Sequence, residues 1–247
     1  MKKLKHINWL TALLVITLFT ACQKENRCDC FKKTGTIDVS KREVAPFDQI
    51  VVENNLNVFI TQDTVYEVKV EAGINLIPLI KTEVIDGTLY IRNKNKCNWA
   101  RNYDQPFNIY VKMPVIKYIT AAGTGTIKSL NTITTPEFDV AIQNSGDVDL
   151  KINNLKLTSH VHGSGDLILS GTTGEHACDI GGTSFLKCQD LQTVNSWVHS
   201  YTTGLCYVKA SNEITTIIDD VGDIYCYENP PTVLVTKNGK GQLYLKQ

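Results

Sequence analysis

The chain has 247 residues, and its 25 lysines and arginines are balanced by 25 aspartates and glutamates, so its formal net charge is zero. Once Lys2, Lys3 and Lys5 are set aside, 22 basic residues remain against 25 acidic ones, and they form no basic block. Because nucleic-acid binding depends on clustered positive charge, this composition argues against a nucleic-acid partner.

The first 21 residues have the pattern of a secretory signal peptide, with lysines, a short apolar stretch and small residues before Cys22. The apolar stretch is shorter than the roughly 20 residues that a membrane-spanning helix needs. The segment Phe19-Thr20-Ala21-Cys22 resembles the lipobox of bacterial lipoproteins, which implies that Cys22 carries lipid after cleavage. We therefore expect removal of residues 1–21, a lipid anchor in the outer membrane, and a polar tether at residues 22–40. The alternative is a secreted protein with an unmodified Cys22, and periplasmic or surface display stays open.

Residues 41–115 contain short segments in which apolar and polar residues alternate, the pattern of half-buried strands. These segments are 49–53, 56–60, 66–70, 88–92 and 107–111. A helical turn is expected only within residues 72–81. This first half of the domain shows no clear repeat.

A polar insertion at residues 93–105 interrupts these strands and carries Trp99, Arg101 and Tyr103. Aromatic rings offer flat apolar faces and a guanidinium offers hydrogen-bond donors, a mixture found in sugar sites and protein-binding hot spots. The sequence predicts that these three residues contact a glycan or protein ligand. The alternative is that Trp99 only covers the side of the fold.

From residue 116 onward, a short phrase recurs every 18–21 residues. We define its anchor as the residue two positions before a recurring apolar side chain. The anchors are Gly125, Gly146, Gly165, Thr183, Gly204, Gly222 and Gly241. The apolar residues two positions later are Ile127, Val148, Leu167, Phe185, Cys206, Ile224 and Leu243. A fixed period near 20 residues predicts a solenoid whose coils stack like positions in files around a common core.

A second column, four positions after the anchors, is also expected to face mostly inward. It contains Ser129, Leu150, Leu169, Lys187, Val208, Cys226 and Leu245. The anchor glycines are expected at corners because glycine accepts positive φ angles without steric cost. The domain is expected to span residues 41–247, with an irregular first half at 41–115 and regular coils at 116–247.

The column directly after the anchors is expected to face outward and includes Asp147, Asp166 and Ser184. The two aspartates should lie about 4.8 Å apart on adjacent coils. This distance would suit a calcium ion, or the carboxyl pair of a retaining glycosidase, about 5–5.5 Å apart. We favour capping of the corner backbone, with a metal site as the weaker candidate. His160 and His162 are expected to face solvent as a pair, without a third metal ligand.

Seven cysteines remain once Cys22 is assigned to lipid, so at least one thiol has no partner within the chain. Cys206 and Cys226 occupy different positions of adjacent repeats, so their Cα atoms should lie about 8 Å apart, beyond disulfide reach. Both are interpreted as small buried apolar residues. The Cys28-Asp29-Cys30 spacing does not match a zinc site, and no cofactor is expected.

Several segments resemble the head GIN domain family, described as auto-transporter adhesins and frequent in exported Bacteroidetes proteins. They are residues 68–78 and 86–91 in the first half, and the phrases at 144–148 and 163–167 in the repeats. The resemblance covers residues 45–247 and implies a right-handed, single-stranded parallel β-helix. It brings no catalytic motif with it.

We therefore expect a lipid-anchored envelope protein that binds a glycan or a protein and has no catalytic activity. One alternative is a carbohydrate-active enzyme, such as a polysaccharide lyase or hydrolase, because solenoids host such enzymes. Another is a passive structural component of the envelope that uses the solenoid as a spacer.

Overall fold

A computed structural model describes residues 33–96 and 107–246 and shows an all-β fold with one turn of 3-10 helix at Ile77–Leu79. The strands of the first half are β1 (Ile37–Arg42), β2 (Gln49–Val52), β3 (Asn57–Gln62), β4 (Glu67–Gly73), β5 (Ile80–Ile85), β6 (Thr88–Asn93) and β7 (Asn108–Met113). The strands of the second half are β8 (Tyr118–Ala121), β9 (Ile127–Ser129), β10 (Ile133–Thr134), β11 (Glu137–Ile142), β12 (Val148–Gly163), β13 (Leu167–Gly182), β14 (Leu186–Thr202), β15 (Cys206–Val208), β16 (Glu213–Ile218), β17 (Ile224–Cys226), β18 (Thr232–Lys237) and β19 (Leu243–Leu245). The predicted signal peptide and Cys22 lie outside the described residues. Within the described ranges, no helix is long and apolar enough to cross a membrane.

The strands of the second half pair in parallel with the equivalent strands of the next coil. One continuous file contains Ile127, Val148, Leu167, Leu186, Cys206, Ile224 and Leu243. Its members lie 18–21 residues apart in sequence, and all but Leu243 are fully buried. The predicted parallel β-solenoid with coils of about 20 residues is therefore confirmed.

The fourth coil corrects the predicted register by one residue. Leu186, not Phe185, occupies the inward file, and Ser184, predicted to face outward, is fully buried. The pairing of β13 with β14 shifts between Ile168 and Ser170, which marks a β-bulge. Lys187 pairs with Ile168 ahead of this bulge and faces outward, whereas the repeat predicted it in the second inward column.

Each regular coil has three sides. The broad face is formed by residues 118–121, 137–142, 156–163, 175–182, 195–202, 213–218 and 232–237. The narrow face is formed by residues 127–129, 148–150, 167–169, 186–188, 206–208, 224–226 and 243–245. The third side is formed by short pairings such as that of β10 with β12. Because side chains alternate along a strand, each face sends every second residue into the core and the others to solvent.

The anchor glycines sit where the chain turns from the broad face to the narrow face. None of them has a positive φ angle, so the predicted reason for glycine at these corners is wrong. A Cβ atom on Gly165 would instead collide with the carbonyl oxygen of Gly146 on the preceding coil, and Gly222 meets Gly204 in the same way. Glycine is needed here because successive corners stack in direct backbone contact.

The first half of the domain continues the stack but closes it with antiparallel strands. β2 pairs in parallel with β6 and β8, and β3 pairs in parallel with β7 and β9. In contrast, β1 with β4, β4 with β7, and β5 with β6 are antiparallel. The β5–β6 hairpin turns at Asp86 and Gly87, which have φ angles of 49° and 76°. This mixture explains why the sequence of this half shows strands without a repeat.

One hydrophobic core runs through both halves of the domain. Burial of one Val, Leu or Ile side chain contributes roughly 1.5–3 kcal/mol, so stacked files supply stability that no single coil has. Cys178, Cys188, Cys206 and Cys226 are free and buried within this core. The interpretation of Cys206 and Cys226 as small buried residues is confirmed.

Candidate functional site

The predicted ligand-binding residues Trp99, Arg101 and Tyr103 lie outside the described residues, so their role stays a prediction. The segment that precedes them is held firmly against the fold. Asn95 is buried, and its side-chain amide donates hydrogen bonds to Leu76 O at 3.0 Å and to Asn93 Oδ1 at 2.9 Å.

Asp147 and Asp166 cap the corner of the next coil. Asp147 Oδ1 accepts a hydrogen bond from the Asp166 amide at 2.8 Å, and Asp166 Oδ1 accepts one from the Phe185 amide at 3.2 Å. The other oxygen of Asp166 forms an ion pair with Lys187 at 2.6 Å. These oxygens already serve the fold, which favours the capping role over metal binding or catalysis. Among the described residues, no group of three or more His, Cys, Asp or Glu side chains is arranged to hold a metal ion.

A cluster of aromatic and imidazole rings lies on the broad face, on the strands that lead into these corners. Trp197, His199 and Tyr201 alternate along β14 and all point outward, and His160 and His162 do the same on β12. We call these five residues the aromatic cluster. The two strands are separated by β13, so the cluster extends over three coils, about 10 Å along the solenoid axis.

Tyr201 connects the two parts of the cluster. Its hydroxyl shares a hydrogen bond of 2.8 Å with Nδ1 of His162, although Gly181 of β13 lies between them in the register. Partial burial raises the pKa of the Tyr201 phenol to about 12, and hydrogen bonding to Asp179 and the negative charge of that carboxylate add to this shift. The hydroxyl is therefore a neutral hydrogen-bonding group at physiological pH.

The rings of the cluster have a regular arrangement. The His162 ring is nearly parallel to the rings of His160 and Tyr201, at interplanar angles of 19° and 27°. The His199 ring stands at about 60° to both of its neighbours, Tyr201 and Trp197. Trp197 lies at the edge of the cluster with 37% of its surface exposed. The cluster thus presents a ribbed aromatic surface and not a deep pocket.

Two carboxylates flank the imidazole of His199. Its Nε2 donates to Asp219 Oδ2 at 2.7 Å, and its Nδ1 lies 3.9 Å from Asp179 Oδ1. Hydrogen bonds from His199 and Asn238 lower the pKa of Asp219. Asp179 Oδ1 is shielded from solvent and has no hydrogen-bond partner among the described residues. The site therefore combines apolar ring surface with the partly exposed carboxylates of Asp179 and Asp219.

A second aromatic group lies on the narrow face. Tyr207, Tyr225 and Tyr244 occupy one file, with ring centroids 5.6 Å and 5.1 Å apart and interplanar angles of 25° and 16°. We call this row the tyrosine ladder. Its rings cover one another along the solenoid axis, and Lys246 lies 5.2 Å from the centre of the Tyr225 ring. The ladder is therefore a row of stacked rings on a different face from the aromatic cluster.

The sequence predicts His160 and His162 as an outward pair. The outward positions of Trp197, His199 and Tyr201 were not predicted. The alternation of aromatic side chains at 197, 199 and 201 was the available signal, because such alternation places all three on one face of a strand. The contact of Tyr201 with His162 was not accessible in this way, because it depends on the register of three coils.

The family comparison agrees with this architecture. A family model described as "Putative auto-transporter adhesin, head GIN domain" matches residues 46–230. The chain belongs to the head GIN domain family. The matched region contains the aromatic cluster and most of the tyrosine ladder, whereas Tyr244 lies beyond it.

Solved structures of other proteins share the fold of this head GIN domain. A Bacteroides fragilis protein described as a putative adhesin aligns with a TM-score of 0.80 and 22% identity, over 85% of this chain and 97% of that one. A Parabacteroides distasonis protein described as a putative adhesin aligns at 0.65 and 21%, with the same coverage. Another protein of that organism, described as a putative lipid binding protein, aligns at 0.66 and 18%, again with the same coverage. No curated protein matches the chain.

Proposed function

We propose that this chain is an exported, lipid-anchored envelope protein that acts as an adhesin, binding a glycan or protein at the surface of its coils. The observation that carries this proposal is the aromatic cluster: five ring-bearing side chains from two strands gathered on the broad face of a rigid solenoid. Exposed aromatic residues in a polar setting are typical of recognition surfaces. The adhesin description of the family supports the same role.

The anchor part of the proposal depends on Cys22 and the signal peptide before it. Lipid attachment needs a free N-terminal segment, and the polar residues after Cys22 would supply the tether. More than one acyl chain on Cys22 would give stable membrane attachment, since a single chain binds only weakly. Mass spectrometry of the N-terminal peptide tests lipidation, and Cys22→Ala should release the protein from the membrane fraction.

Adhesion is tested with cells that display the full chain. The cells are allowed to settle on wells coated with mucin, matrix proteins or bacterial polysaccharides. A double variant, Trp197→Ala with Tyr201→Ala, should lower attachment to at least one coating. The matched control is Tyr225→Ala with Tyr244→Ala, which removes two rings from the narrow face and should leave attachment unchanged.

Two results would overturn the proposal. The first is that cells with and without the chain attach equally to every coating. The second is equal loss in both double variants. Protease treatment of intact cells completes the test, because an adhesin must be cleaved from outside the cell while a periplasmic spacer is protected.

A further inference from the structure

We propose that the aromatic cluster is a binding site for an uncharged glycan, which lies across Trp197, His199 and Tyr201. This inference rests on the adhesin function proposed above and names the ligand class of that site. Three features of the broad face carry it: the exposed ring surface, the partly exposed carboxylates beside it, and the charge around the cluster.

The first feature is the exposed ring surface. A pyranose ring has an apolar face of C–H groups, and aromatic side chains bind such faces through apolar contact. Trp197 to Tyr201 spans four residues of an extended strand, about 13 Å, and the cluster covers about 10 Å in the other direction. This footprint is larger than one sugar ring, so the site fits a short stretch of a glycan chain.

The second feature is the set of polar atoms between the rings. Sugar hydroxyls donate hydrogen bonds, and the carboxylate of Asp179, with 33% of its side chain exposed, can accept them. Asp219 and the exposed His160 offer further hydrogen-bonding atoms beside it.

The third feature is the charge of the surrounding face. The outward residues of the broad face from β11 to β16 include the acidic side chains Glu137, Asp139, Glu175, Asp179 and Glu213, and Asp219 follows directly after β16. Lys156 is the one basic residue among the same described positions. Such a face repels uronic acids, sialic acids and sulfated sugars, which leaves uncharged glycans as the fitting class.

Gly181 shows that the sequence makes room for the ring of Tyr201. Gly181 does not have a positive φ angle, so its backbone conformation does not require glycine. A Cβ atom at this position would instead collide with the Tyr201 ring, which occupies the space above it. Gly181→Ala therefore displaces the ring while every hydrogen-bonding side chain of the site is kept.

The test uses full-length protein in detergent and measures binding to immobilised polysaccharides. The uncharged probes are mannan, laminarin and galactan, and the acidic probes are polygalacturonate and chondroitin sulfate. We expect an uncharged probe to bind best. Trp197→Ala and Gly181→Ala should each weaken its binding about 30-fold, the effect of a central hot-spot residue. Tyr201→Phe keeps the ring and should weaken it only a few-fold, and Tyr225→Ala on the tyrosine ladder should leave it unchanged.

Each contrary result has a distinct meaning. Stronger binding of the acidic probes would overturn the assignment to uncharged glycans. Equal effects of Trp197→Ala and Tyr225→Ala would overturn the location of the site. No binding of any probe would overturn the inference as a whole; if adhesion of displaying cells then still depends on Trp197, the proposed function survives with a protein ligand. A melting curve for Gly181→Ala checks that the solenoid is folded, and Trp197→Ala carries the test if it is not.

Discussion

The buried imidazole of His176 should make this solenoid lose stability in mild acid. His176 is fully enclosed in the core, where its Nε2 lies 2.8 Å from the hydroxyl of Ser159. Burial lowers its pKa from 6.5 to about 4, because the core cannot solvate the charged ring. In the unfolded chain the ring takes up a proton as the pH falls through 6.5, while in the folded chain it stays neutral until about pH 4.

Between these two values the unfolded state binds more protons, so the free energy of unfolding decreases as the pH decreases. A pKa difference of one unit between the folded and unfolded states corresponds to about 1.4 kcal/mol. The difference between 6.5 and about 4 therefore lowers the free energy of unfolding by about 3 kcal/mol in total. Carboxylates with lowered pKa, such as Asp219, lose their contribution only near or below pH 4. The window from pH 6.5 to pH 4.5 therefore isolates the histidine.

The assay is urea unfolding at several pH values for wild type and His176→Gln, which carries no titrating group at this position. The stability advantage of wild type over the variant should shrink by about 3 kcal/mol between pH 7.5 and pH 4. His160→Gln, at an exposed position of the broad face, is the matched control; it keeps His176 and should lose stability with falling pH as wild type does. Parallel pH profiles for wild type and His176→Gln would refute the reasoning.

Three further predictions concern the stacked core. Leu167→Ala should lower the free energy of unfolding by about 2–5 kcal/mol in denaturant titrations, whereas Leu155→Ala, at a residue 72% exposed, should cost under about 1 kcal/mol. Gly165→Ala should destabilise by at least about 1–3 kcal/mol, because its new methyl group meets the backbone of the preceding coil; a melting temperature equal to wild type would contradict direct stacking of the corners. Burial raises the pKa of the thiols of Cys178 and Cys188, so neither should react with a thiol reagent until the protein unfolds, and rapid labelling of the native protein would place them outside the core.

The repeat in the sequence was sufficient to predict the solenoid, because a file such as Val148, Leu167 and Ile224 must be apolar wherever coils stack. It was not sufficient at the fourth coil. There the true anchor is Ser184, since Leu186 and Lys187 pair in register with Leu167 and Ile168, and the bulge before Asp190 lies after this corner. A period that varies between 18 and 21 residues allows either Phe185 or Leu186 in the apolar column, and only the strand pairing decides between them.

The aromatic cluster shows a second limit of sequence reasoning. Strand alternation places His160 and His162 on one face, and it would do the same for Trp197 and Tyr201. It does not show that these two pairs lie on the same face two coils apart, because that requires the register of β13 between them. Gly181 has no side chain, and this leaves room for the Tyr201 ring above it. The sequence does not show this role of Gly181, because the role depends on the position of Tyr201 in the structure.

The last described coil has features that oppose pairing of its edge strand with a strand of another molecule. Within the described residues, β18 pairs only with β16, and its Val233 and Val235 are 38% and 49% exposed although the equivalent Ile214 and Thr216 are buried. The next inward position is Lys237, in the file that runs through Val161, Ile180, Ser200 and Ile218. An inward-pointing lysine opposes pairing of a strand edge with another strand, because pairing would bury its charge.

Lys237→Val should therefore favour self-association through this edge. Sedimentation velocity of the full chain in detergent should show dimers or larger species for Lys237→Val at concentrations where wild type sediments as one species. Lys240→Val, which removes an equal charge just beyond the end of β18, is the control and should behave like wild type. If both variants remain like wild type, Lys237 does not protect the edge; if both associate, the effect is one of net charge and not of the position of the lysine in the inward file.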